Sequence, residues 1–323
     1  MVITPLKDLE GDLQEVEDVL LGLLERRGAP VRMPAAQMFR TGGKRLRPAL
    51  VLLCSRLFGP QPPAAVTIGA AVEMVHGASL LHDDVIDQTT VRRGKATMNA
   101  LHGNRFSVLL GDFLLCESLL AVAALDQVEL VRVVSESVAQ MTMGQILELA
   151  HQGDLTLSQQ DYLRIVEGKT AALMVCACKL GGLLGGADRS QVQALDDFGR
   201  CLGIAFQIVD DVLDFWGDPA VLGKPVGSDL TDRKYTLPVL VAVESSLASE
   251  RERVAHLLSN GKLANGGLQD VVGWMDAHQA RGRSMELARG YADRARQALR
   301  SLPPSQARSA LDELLDYILT RDR

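Results

Sequence analysis

Apolar positions recur along this chain at the three-and-four spacing of helix faces. Near the start, Leu9, Val16, Leu20, Leu23 and Leu24 share one such stripe. The same periodicity predicts helices over about 64–87, 107–124, 128–149, 158–184, 191–216 and 236–246. Pro303-Pro304 sets off a last helix with Leu311, Leu314, Leu315 and Ile318 on one face. Gly42-Gly43 ends an early segment and Arg47-Pro48 opens the next, proline being tolerated in a first helical turn. Gly59 to Pro63 and Gly217 to Ser228 are rich in Gly and Pro and read as loops. No run alternates with period two, and no Gly-rich strand-to-helix phosphate loop occurs. With no internal repeat and no linker, the pattern predicts an all-α fold in one domain over residues 1–323.

Composition supports that reading. The chain is 47% hydrophobic but only 4% aromatic, with Ala and Leu dominating. Small and straight side chains favour closely packed helices over β-branched sheet. A net charge of −6, with no basic arm or stripe, argues against nucleic acid as a partner. The five cysteines, Cys54, Cys116, Cys176, Cys178 and Cys201, lack zinc spacing and are expected as buried free thiols in a reducing cytoplasm. The acidic, amphipathic N-terminus is unlike a signal peptide. The longest apolar stretch is broken by Lys179 and by glycines, so no transmembrane segment is expected.

Two acidic clusters change the picture. LLHDDVID carries Asp83, Asp84 and Asp87, and FQIVDDVLDF carries Asp210, Asp211 and Asp214. On a helix the first and last of each trio stack one turn apart, with the middle one beside them. Three carboxylates so close repel one another unless a cation compensates. Both clusters are also embedded in apolar helix, whereas ordinary acidic runs sit on solvated faces. Oxygen ligands without His or Cys suit magnesium, which keeps several waters and binds together with substrate phosphates.

Basic residues complete the set. Lys44, Arg45 and Arg47 lie in GGKRLRP, and Arg92 and Arg93 in VRRGKAT. Lys169 lies in EGKTAAL, Lys224 in LGKPVGSDL and Lys234 in DRKYTLP. Each alone is usually a surface cation; beside the aspartates they read as holders for two separate diphosphates.

These segments, with VEMVHGASLLHDDVIDQTTVRRGKAT and GDFLL, resemble the trans-isoprenyl diphosphate synthases, in the family's order, over about residues 40–240. The resemblance implies an all-helical bundle around a deep central cavity, dimeric, cytoplasmic, and condensing isopentenyl diphosphate onto an allylic diphosphate. It implies that Asp83, Asp84, Asp87, Asp210, Asp211 and Asp214 hold Mg2+, three ions per site with substrate bound. Arg92, Lys169, Lys224 and Lys234 would contact the allylic diphosphate. Lys44, Arg47, His76 and Arg93 would hold that of isopentenyl diphosphate, and Thr170 and Gln207 would lie near the reacting carbons. One departure is MTMGQILELA, where Gln145 and Glu148 exchange the Glu and Gln that many relatives carry.

Product length is read from the helix bearing Asp83. Family members that stop early place bulky aromatics four and five residues before the first aspartate. Here those positions are Ser79 and Ala78, both small. A helical turn rises about 5.4 Å, room for about one extended isoprene unit. Met74 and Val75 lie further down and narrow the path without closing it. A long-chain product from farnesyl or geranylgeranyl diphosphate is the expectation, with peripheral membrane contact for its release. A shorter geranylgeranyl synthase and the catalytic subunit of a heteromer stay open. A class I cyclase would carry Asn, Ser and Glu where this chain has DDVLD.

Overall fold

The computed structural model describes residues 4–25, 28–39, 43–92, 94–219, 226–259 and 267–322. The described residues form an all-α fold, and sheet is confined to one two-stranded hairpin, Val91–Arg92 with Lys95–Ala96. The chain groups into two compact units. One comprises Met1–Ala139, Ala172–Arg200 and Ala295–Leu314; the other comprises Gln140–Ala171, Cys201–Arg294 and Leu315–Arg323. No single cut in the chain separates them.

The first unit opens with a 3-10 turn, Thr4–Leu9, and helices α1 (Glu10–Glu25), α2 (Ala29–Phe39), α3 (Leu46–Ser55) and α4 (Ala64–Ile86). The hairpin strands β1 and β2 follow, then α5 (Met98–His102), α6 (Asn104–Ala123) and the start of α7 (Val128–Ala150). Helix α9 (Ala172–Leu184) and the first part of α10 (Arg189–Trp216) also belong here. Helix α4 packs against α1, α3, α6 and α9. Its sequence accounts for that central place. From Ala65 to Val75 every residue except Thr67 is buried, and a helix apolar all round must be enclosed by neighbours. The predicted stripe on α1 is buried at Val16, Leu20 and Leu24, whereas Leu23 is half-exposed.

Arg45 ties four of these helices. It stands in the left-handed region just before α3 (φ 48°), its guanidinium 2.7 Å from Glu17 on α1 and 2.6 Å from Glu73 on α4. It also donates to the Phe39 carbonyl at the end of α2 at 2.5 Å. Breaking such a partly buried pair leaves an uncompensated charge, which costs about 3–5 kcal/mol.

The second unit contains the rest of α7, α8 (Gln159–Val166), a π-helical turn (Glu167–Ala171) and the rest of α10. Helices α11 (Ser228–Thr231), α12 (Leu237–Ser245), α13 (Ala248–Ser259), α14 (Leu268–Ala277) and most of α15 (Ala280–Arg300) follow. The end of α16 (Gln306–Thr320) completes it. Pro238 sits in the first turn of α12, where its missing N–H costs nothing. The expected face of Leu311, Leu314, Leu315 and Ile318 on α16 is buried throughout.

Three sequence expectations need correction. The helix predicted over 158–184 is interrupted by the π turn, because one extra residue is looped into the ladder there. Helices α13, α14 and α15 were not foreseen in their charged sequences. Cys116 is exposed on α6; the other four cysteines are buried, and none of the five forms a disulfide. Of the loop expected at 217–228, residues 220–225 lie outside the described residues. Two described helices, α4 and α6, are long and apolar enough to cross a membrane, with 72% and 44% of their apolar windows buried.

Candidate active site

In the first unit, the last turn of α4 carries Asp83, Asp84 and Asp87. His76, Ser79, Leu80, Asp83 and Asp87 follow helical spacing and are all half-buried, so they define one partly open face. Asp84 points elsewhere. Its carboxylate is 2.9 Å from Arg92 Nε and 2.8 Å from Arg92 Nη2, and its carbonyl accepts from Thr89 N and Asn99 Nδ2. The hairpin carrying Arg92 is thereby fastened to the end of α4. Burial pushes the Asp84 carboxyl above the usual carboxylate range, although Arg92 opposes the shift. Arg93 lies outside the described residues.

Lys44 and Arg47 flank Arg45 and are half-buried. Three of the residues expected to bear on product length, Met74, Val75 and Ala78, are buried. Ser79 alone of that set lies on the partly open face, with its hydroxyl donating 2.9 Å to the His76 carbonyl.

In the second unit, the π turn carries Lys169 and Thr170. Its backbone is crossed closely on two sides. A Cβ on Gly144 of α7 would come 2.4 Å from Lys169 N, and one on Gly203 of α10 would come 2.5 Å from Ala171 Cα. Only glycine permits those approaches. The turn opens on a cavity of about 160 Å3, lined among others by Glu148, Lys169, Thr170, Gln207, Asp211 and Lys234.

A chain of hydrogen bonds runs along one side of this cavity. Thr170 Oγ1 donates to Gln207 Oε1 at 2.7 Å, and Gln207 Nε2 donates to Asp211 Oδ1 at 2.8 Å. The buried Tyr162 hydroxyl donates to the other Asp211 oxygen. Asp211 is 2% exposed, and burial, reinforced by Asp229, holds its carboxyl well above the usual range. Burial likewise raises the Tyr162 phenol. On the opposite charge, Lys169 Nζ is 2.5 Å and Lys234 Nζ 3.7 Å from Glu148 Oε2.

The second aspartate trio also divides, but here two of the three, Asp211 and Asp214, are buried. Asp214 is buried; its oxygens accept from Ser228 Oγ at 2.6 Å and Asp229 N at 3.1 Å, which fastens the start of α11. Asp210 has a side chain 40% exposed, 2.7 Å from Nη2 of Arg321. Arg321 in turn lies over the Phe206 ring, 4.0 Å from its centroid, and donates to the Phe206 carbonyl. Lys224 lies outside the described residues.

The trios that look alike in sequence thus hold two kinds of aspartate. Asp84, Asp211 and Asp214 are buried, whereas Asp83, Asp87 and Asp210 are half-buried, Asp210 with Arg321 as its partner. Tyr162, Asp229 and Arg321 enter the site or its support without having been foreseen, and Arg45, expected as a diphosphate holder, instead pairs with Glu17 and Glu73. Nothing in the sequence singles out Tyr162 on its amphipathic helix, but Asp229 stands in the quoted LGKPVGSDL segment.

A model of the polyprenyl synthetase family matches residues 29–275, a span that includes both aspartate trios and every expected basic residue. The chain belongs to the polyprenyl synthetase family. It is 38% identical to the octaprenyl diphosphate synthase of Escherichia coli K12 over 284 residues, 87% of each chain. The structure of a decaprenyl diphosphate synthase from Rhodobacter capsulatus superposes with a TM-score of 0.93 at 38% identity, covering 99% of this chain and 98% of that one. A Caulobacter crescentus polyprenyl synthase complexed with calcium and isoprenyl diphosphate gives 0.92 at 33% identity, with coverage of 99% and 97%. This polyprenyl synthetase is a prenyltransferase with the all-α isoprenoid synthase fold.

Proposed function

We propose that this chain is a magnesium-dependent trans-polyprenyl diphosphate synthase. It adds isopentenyl diphosphate head to tail onto farnesyl or geranylgeranyl diphosphate and releases a long all-trans product. The observation that carries the reading is the donor set of a polyprenyl synthetase chain. Half-buried carboxylates stand at Asp83, Asp87 and Asp210, and two ammonium groups, Lys169 and Lys234, line one cavity with Thr170. Among the described residues no three His, Cys, Asp or Glu converge as a metal cage. That fits magnesium, which takes one or two carboxylates and completes its shell with water and substrate phosphate.

Magnesium would bind at Asp83 and Asp87, and at Asp210. Bound there, it supplies positive charge to the diphosphate as the allylic C–O bond breaks. Lys169 and Lys234 add donors aimed at the same leaving group, fixed charge of the kind that gives the largest catalytic contribution. Gln207 holds the Thr170 hydroxyl in one orientation. The allylic cation is attacked by the isopentenyl double bond, forming one C–C bond. A proton then leaves to the released diphosphate and restores an alkene.

A long product is supported by Ser79, small and on the partly open face one turn before Asp83. A homodimer is supported by α6, which leaves Val108, Leu109 and Leu120 exposed, an apolar row that a second copy would cover. Cytoplasmic location accords with five cysteines that form no disulfide, and membrane contact would be confined to product release.

The test is incubation with magnesium, isopentenyl diphosphate and each allylic starter in turn, with mass spectrometry of the dephosphorylated products. A ladder ending in one prenol longer than geranylgeraniol is expected. A ladder ending at geranylgeraniol would overturn the length, and no elongation from any starter would overturn the function of the chain alone.

A further inference from the structure

Glu148 stands where a substrate anion is expected. It lies on α7 one turn beyond Gly144 and Gln145, in the segment where Gln and Glu exchange places relative to the family pattern. One oxygen, Oε2, gathers three donors: Lys169 Nζ at 2.5 Å, Gln145 Nε2 at 3.4 Å and Lys234 Nζ at 3.7 Å. The side chains of Glu148, Lys169 and Lys234 are 19%, 24% and 16% exposed, so water screens them only partly. Gln145 is turned by this arrangement. Its amide N–H points to Glu148, and its buried oxygen finds no hydrogen-bond partner among the described residues.

We infer that Glu148 is a built-in occupant of the allylic diphosphate subsite. Its carboxylate offers the lysines what a phosphate oxygen offers, an anionic acceptor at hydrogen-bond distance from Lys169 and at ion-pair distance from Lys234. With the subsite empty of diphosphate, Glu148 holds Lys169 and Lys234 in place and offsets one of their two charges. An incoming diphosphate takes the two lysines from Glu148, and the carboxylate recovers them as inorganic diphosphate leaves. An enzyme that repeats condensation on a growing chain must empty this subsite once per cycle. A competing carboxylate speeds that step at the expense of affinity.

The inference rests on the reading of Lys169 and Lys234 as diphosphate ligands, and its test avoids turnover. Inorganic diphosphate would be titrated calorimetrically into the full chain with chelator and without magnesium, at fixed low salt. Glu148→Gln keeps shape and hydrogen bonding but removes the competing charge. It should bind diphosphate at least about tenfold tighter than wild type, about 1.4 kcal/mol. Lys169→Met in that background should abolish the gain. Glu148→Asp, with the carboxylate drawn back by one methylene, should give a smaller gain and serves if Glu148→Gln melts early. Equal or weaker binding by both variants, including no binding by any of them, overturns the inference. So does a gain that survives Lys169→Met. If elongation by the wild type stays intact, the proposed function stands regardless; if wild-type elongation fails, that reading falls first.

Discussion

Replacing Gly144 with Ala perturbs the π turn without touching any group that meets substrate. The added methyl carbon would lie 2.4 Å from Lys169 N, 2.8 Å from Gly168 C and 3.0 Å from Gly168 Cα, all of them backbone. Comfortable carbon contacts begin at about 3.5 Å, so the turn must retreat by about 1 Å. Overpacking of that kind costs about 1–3 kcal/mol. The larger effect should be kinetic. Lys169 and Thr170 ride on the displaced backbone, and a 1 Å misplacement of reacting groups can cost about 100-fold. The assay is steady-state elongation from farnesyl diphosphate, paired with thermal melting. Gly273→Ala and Gly290→Ala are controls, since a Cβ at either meets nothing within 4 Å. In a helix interior each should stabilise by about 0.5–1 kcal/mol and leave the rate alone. A Gly144→Ala enzyme with wild-type kcat would refute the claim that the π turn sets the geometry.

Three further outcomes are expected. Asp211→Asn should change stability in a pH-dependent way. The raised carboxyl favours the folded state fully below the unfolded value near 3.8, and that contribution is lost as pH rises through the folded value. The neutral variant should therefore melt like wild type near pH 4 and progressively higher than wild type toward pH 8, while losing activity; a pH-independent difference would contradict this. Ser79→Phe should end the product ladder at least one isoprene unit earlier, read by mass spectrometry, and an unchanged product would remove Ser79 from the tunnel wall. Arg321→Ala frees Asp210 from its guanidinium partner at 2.7 Å. The magnesium concentration for half-maximal elongation should then fall by about threefold or more, given the strength of charge-assisted pairs; an unchanged requirement would show that Asp210 does not meet the metal.

The apolar helices were legible because burial imposes a period, as in the α1 and α16 stripes, whereas the charged sequences of α13, α14 and α15 hid theirs. The π turn was not legible: one looped-out residue leaves the apolar rhythm of 158–184 almost unbroken, and the close approaches of Gly144 and Gly203 to it appear only in the fold. Residue type revealed the two aspartate trios, but not their division of labour. Asp84 and Asp87 look interchangeable until the hairpin folds back and gives Asp84 to Arg92. Asp214 looks like Asp210 until α11 begins beneath it. Partners brought from distant parts of the chain decide such roles, and their identity is tertiary information. Glu148 was visible as an exchange of residue types, but its hold on two lysines needed the placement of Lys234, 86 residues further on (234 − 148).

The central claim is that this chain couples departure of diphosphate to attack by isopentenyl diphosphate. The most direct test measures inorganic diphosphate release from farnesyl diphosphate, with and without isopentenyl diphosphate, in magnesium and in chelator. The account predicts one diphosphate released per isopentenyl diphosphate consumed, and almost none when either the second substrate or magnesium is withheld. Brisk release without isopentenyl diphosphate would mark a cyclase or a hydrolase, and release in chelator would contradict the metal's place in the site.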